Sequence, residues 1–119
     1  VILGIDYYGT LQAHPILGSL AFHVLDSGGE VHVISAVRIG NQERAERNII
    51  KTGLTPHVIV CAPKDAPRLK YEACKALRVD LFIDDDPEIV NYLNERSIIS
   101  LLLVMPIGID YNSKRKPLN

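Results

Sequence analysis

The feature that most narrows the fold is a regular exchange of short apolar runs with helix-length amphipathic stretches along the 119 residues. Residues 1–5, 31–34, 57–61, 80–83 and 98–104 read as strands. They are near-continuous in Val, Ile and Leu, as expected of strands covered on both faces. Residues 14–27 and 41–52 read as helices, as do a stretch from Pro67 to about Leu77 and another that opens at Pro87. Punctuation supports these bounds. Gly28 and Gly29 stop the first helix, Gly53 ends the second, and Pro67 suits a first helical turn. Asp86 before Pro87 is an N-cap signature. Strict βαβ alternation implies parallel strands with right-handed crossovers. The expected fold is therefore α/β: a three-layer Rossmann-like arrangement, a mostly parallel five-stranded sheet with helices on both faces.

Length argues for one domain over residues 1–119, with enough chain to bury a core unaided by disulfides. There is no Trp and there are only two Phe, so that core is aliphatic. A net charge of −1 removes any global electrostatic case for nucleic acid or an anionic membrane. The basic cluster Lys114, Arg115 and Lys116 reads as a solvated end, in a tail over about residues 110–119 that is expected to be flexible. Cys61 and Cys74 lack metal-ligand spacing and read as free thiols in a reducing compartment. No secretory signal pattern is present, and the longest apolar run is far too short to span a bilayer. A soluble, cytoplasmic protein is expected.

Charged residues at strand ends locate a site, because ligands of open α/β sheets sit at the carboxyl ends of the strands. Asp6 follows the first strand directly and is followed by a Gly9-Thr10 turn. Asp84, Asp85 and Asp86 follow the strand at 80–83. Clustered carboxylates repel one another unless a cation compensates. Oxygen-only ligands suit a hard cation, and Mg2+ is held by one or two carboxylates plus waters and phosphate. Asp86 is assigned to the helix cap, and Asp84 and Asp85 to the metal. Ser35, at the end of the second strand, can bond an anion. Lys70 lies 14 positions before Asp84.

Taken together, Asp6-Tyr7-Tyr8-Gly9-Thr10, Ser35, Lys70 (with Lys64 as the alternative) and Asp84-Asp85 resemble the four ordered signatures of the haloacid dehalogenase-like hydrolase superfamily. The resemblance implies a nucleophilic role for Asp6. It implies that Ser35 and Lys70 hold the substrate anion, with Ala36 and Arg38 beside them. Asp85, Asp84, Asp6 and the Tyr8 carbonyl would hold Mg2+, and Thr10 would fix the loop. The implied activity is a Mg2+-dependent phosphohydrolase acting on a phosphorylated substrate.

One position departs from that pattern. Phosphatases of the family carry a second Asp as general acid/base where this chain has Tyr8. A phenol, with a pKa near ~10, is a poor base at neutral pH. His14 is the nearest replacement, although it reads more simply as a helix-start residue. Asp-x-Tyr-Gly-Thr also resembles the family's 2-haloacid dehalogenases, which is the alternative activity. A non-catalytic binding or regulatory domain of the same fold is the third. The spacing leaves no room for a cap domain, which points to a macromolecular substrate or to a neighbouring subunit of a homo-oligomer as cover. Arg44 and Arg47 read as a solvated helix face. His23, His32 and His57 show no ligand spacing.

Overall fold

A computed structural model of the protein describes residues 1–104. The strands are β1 (Ile2–Ile5), β2 (Glu30–Val37), β3 (Thr55–Val60), β4 (Leu81–Asp84) and β5 (Ser100–Leu102). Between them lie α1 (Pro15–Asp26), α2 (Gln42–Ile50), α3 (Ala66–Ala76) and α4 (Pro87–Asn94). All strand pairs are parallel, in the order β3-β2-β1-β4-β5. The chain runs outward from β1 to β3, then crosses back to β4 on the other side of β1. The order therefore reverses between β1 and β4, and their carboxyl ends flank the crevice where such sheets place ligands.

Period-2 alternation sends each strand's side chains to two separate cores. Leu3 and Ile5 of β1, Val31 and Val33 of β2 and Ile83 of β4 pack with Leu17 and Ala21 of α1 and Ile49 of α2. Ile34 of β2 and Phe82 of β4 pack on the opposite face with Ala66 and Cys74 of α3 and Ile89 and Leu93 of α4. Gly4 is needed on that second face. A Cβ there would stand 2.8 Å from Phe82 Cδ1 and 3.2 Å from Val79 Cγ1, so the missing side chain makes room for the Phe82 ring. Asp86 caps α4 as expected, its carboxylate accepting from the Glu88 N–H at 2.9 Å.

Several bounds move by one or two residues, and two strands differ by more. β2 continues through Ser35 and Ala36 to Val37, because β3 pairs alongside it as far as Val37 with Val60. Ser35 thus stands inside β2 rather than at its end, although β1 stops pairing at Val33. β5 is shorter than the apolar run at 98–104. The Asn94 carboxamide binds both backbone groups of Ser100, at 2.7 and 3.1 Å, where the strand begins. The tail expected over 110–119 lies outside the described residues. Among the described residues, no helix is long and apolar enough to cross a membrane.

Candidate functional site

The site is built by the turns that leave β1 and β4. Asp6 extends β1, its N–H bonded to the Ile83 carbonyl at 2.9 Å. The chain then winds through a wide turn, Tyr7–Leu11, in which Leu11 N–H bonds the Asp6 carbonyl. Gly9 sits there at φ +77°, a left-handed conformation that glycine adopts without strain. This turn brings Thr10 back under Asp6. The Thr10 hydroxyl lies 3.1 Å from Asp6 Oδ2 and 3.2 Å from Asp85 Oδ1, so it bridges the two acidic strand ends.

Lys70 reaches the same point from α3. Its side chain passes over the Phe82 ring, 5.6 Å from the centroid, and its Nζ meets Asp6 Oδ1 at 2.7 Å and Asp84 Oδ2 at 2.8 Å. The other Asp84 oxygen accepts the Asp86 N–H at 3.0 Å. All three ion-pair partners are buried. Burial pushes the Asp6 carboxyl up from 3.8 to about 6, against the pull of Lys70 and with a further push from Asp84. For Lys70, burial works against the charge, but Asp6 and Asp84 outweigh it and hold the ammonium above its ordinary 10.5. Lys64 sits exposed in a helical turn before α3, so Lys70 is the lysine of this site.

Asp6, Asp84 and Asp85 each offer an oxygen, all within 4.8 Å of one another. Asp6 and Asp84 against the one ammonium of Lys70 leave a formal charge of −1 when all are ionised. The cleft above them, about 290 Å3, is also lined by Tyr8, Ser35, Ala36, Arg38 and Cys61. Ser35 Oγ is fully buried in this wall and has no hydrogen-bond partner among the described residues. A buried hydroxyl without a partner costs about 1–3 kcal/mol unless something bonds it. The donor set and this orphan suit a hard divalent cation with an oxyanion beside it.

The structure brings together Asp6, Tyr8, Thr10, Ser35, Ala36, Arg38, Lys70, Asp84 and Asp85. It does not bring His14, which stands at the N-cap of α1 and is absent from the cleft lining. Tyr8 leans toward α2, its hydroxyl 3.4 Å from Asn48 Nδ2. Asn48, Asn41 and Arg44 line a second cleft of about 490 Å3 that shares Tyr8, Ala36, Val37 and Arg38 with the first. Sequence reasoning missed these three. Their only signal is a polar face on α2, which any exposed helix shows. Arg47 does face solvent, within 4.0 Å of Glu43.

Fold and site together define a doubly wound α/β domain with an acidic, lysine-braced cleft at its topological switch point. No protein-family profile matches the chain, and no curated protein sequence matches it. Among solved structures, the chain is similar to a protein of the universal stress protein family from Burkholderia pseudomallei, with a TM-score of 0.60 and 13% identity. The match covers 86% of this chain and 94% of that one. At that identity the likeness concerns the fold, a Rossmann-like α/β domain with a parallel sheet.

This finding corrects the family expected from the four signatures. The structural likeness is to a universal stress protein, not to a haloacid dehalogenase-like hydrolase. The phosphohydrolase and 2-haloacid dehalogenase activities fall with that resemblance, and the likeness does not favour the third reading, a non-catalytic binding or regulatory domain. The physical reason lies in the fold. Unrelated families built on an open parallel sheet all place their site residues at the carboxyl ends of the strands, so polar residues recur at strand ends in an order set by the βα repeat. Short strand-end motifs in sequence order therefore do not separate one family of this architecture from another.

Proposed function

We propose that this chain binds a divalent cation, Mg2+ by its ligand chemistry, and through it the phosphoryl group of a phosphorylated ligand. The observation that carries the reading is the convergence of Asp6, Asp84 and Asp85 oxygens within 4.8 Å, with Lys70 as the buried cation between two of them. The residual charge calls for a cation, and carboxylate oxygens favour a hard one. Asp6, Asp84 and Asp85 would hold it. The Ser35 hydroxyl and one Lys70 N–H left over from its two ion pairs supply donors for the phosphoryl oxygens. Without the cation, a phosphate brought to this wall meets like charge; with it, the repulsion is screened.

Calorimetric titration tests the reading. Mg2+ should bind saturably at a single site, and methylphosphonate should bind only when Mg2+ is present. Asp85→Asn should weaken the cation by about tenfold or more, the range of one lost charge-assisted ligand. Absence of Mg2+ and Mn2+ binding, or phosphonate binding indifferent to both the metal and Asp85→Asn, would overturn it.

A further inference from the structure

The second cleft differs in charge from the first. Among the described residues lining it, Arg38 and Arg44 are cationic, Asn41 and Asn48 are neutral donors, and none is a carboxylate. Arg44 gives one N–H to Asn41 Oδ1 at 3.3 Å and keeps the rest of its fork. Arg38 forms no ion pair among the described residues and lines both clefts. Besides Arg38, the wall shared by the acidic and basic ends is Tyr8, Ala36 and Val37, which offers a ring and two aliphatic side chains.

From this arrangement we infer that the ligand carries a second anionic group at its far end, seated on Arg38 and Arg44. The inference rests on the proposed cation and phosphoryl site and names the ligand class that site takes. That class is a phosphoryl compound with a short apolar or hydroxylated middle and a terminal carboxylate or second phosphoryl. The acidic end takes its anion only through a metal; the basic end takes one directly. A planar guanidinium pairs with either group by two parallel N–H bonds. The middle lies against the Tyr8 ring. Such a cleft selects by length, since its acidic end is fixed at the ends of β1 and β4 and its basic end on α2 and the residue after β2. A ligand with only the phosphoryl group fills the first cleft and leaves the second to water.

The experiment compares three series at fixed Mg2+ by calorimetry: alkylphosphonates, ω-carboxyalkylphosphonates and α,ω-alkanediphosphonates of matched, increasing chain length. One length in the terminal-anion series should bind about ten- to a hundredfold tighter than its methyl-ended counterpart. Whether carboxylate or phosphonate gains more identifies the terminal group. Arg44→Gln, an exposed change on α2, should bring the two-anion compound level with the methyl-ended one. No gain at any length, or a gain that survives Arg44→Gln combined with Arg38→Gln, overturns the subsite. Binding of the methyl-ended phosphonate that persists when Mg2+ is chelated refutes the cation site on which the phosphoryl reading depends, while a length-selected gain that Arg44→Gln removes still supports the arginine subsite.

Discussion

Replacing Lys70 by Met keeps length and flexibility but removes the buried cation that two carboxylates share at 2.7 and 2.8 Å. Breaking a buried ion pair by deleting one partner costs about 3–5 kcal/mol, because the remaining charge is left uncompensated. A second route gives a similar size. The variant relieves itself by protonating a carboxylate, and holding an acid of ordinary pKa 3.8 neutral at about pH 7 costs about 4 kcal/mol. That cost falls by about 1.4 kcal/mol per pH unit, to about 2 kcal/mol near pH 5. The variant's folded state then holds a proton that its unfolded state has released, so stability returns as pH falls toward the unfolded value. The assay is urea unfolding of both proteins by far-ultraviolet circular dichroism, near pH 7 and near pH 5. For a domain of this size the neutral-pH loss corresponds to about 12–20 °C in Tm. A Lys70→Met protein within about 1 kcal/mol of wild type at neutral pH, or one equally weakened at both pH values, would refute this account of the site.

Two further measurements probe the same structure. Gly4→Ala should destabilise by about 1–3 kcal/mol in the same unfolding assay, because its methyl would stand 2.8 Å from Phe82 Cδ1; an unchanged midpoint would show that the ring has room to move. The Asp6 carboxyl carbon, followed by NMR, should titrate near pH 6 and shift to lower pH when Mg2+ is added. Its folded value exceeds the unfolded 3.8, so this group's contribution to stability is greatest in acid. It diminishes by about 3 kcal/mol as pH rises from 3.8 through about 6, and a midpoint near 3.8 would remove that dependence.

Much of the acidic end was readable one residue at a time. Asp6, Asp84 and Asp85 each follow an apolar run, and a carboxylate placed there can only emerge at the carboxyl edge of a parallel sheet. Ser35 was placed correctly in space but not along its strand, because the length of β2 depends on how far β3 runs beside it. Of the basic end, Arg38 was singled out but the side chains of α2 were not. Arg44 and Arg47 occupy the same helix and look alike in sequence, yet one lines a cleft and the other faces solvent. His32 and His57, 25 positions apart and without ligand spacing, meet at 2.9 Å because the β2 and β3 register sets them diagonally across one face.

By itself the chain determined its layer architecture and the acids at the sheet edge, because hydrophobic periodicity and chain alternation act locally and leave few arrangements open. Only the tertiary structure decided the strand order, which sets β4 beside β1 and so draws three carboxylates together, two of them onto a lysine from α3. It also decided which α2 side chains meet Tyr8. Those are contacts between residues far apart in sequence. Their energies come from burial and charge at the meeting point, and no local pattern carries them.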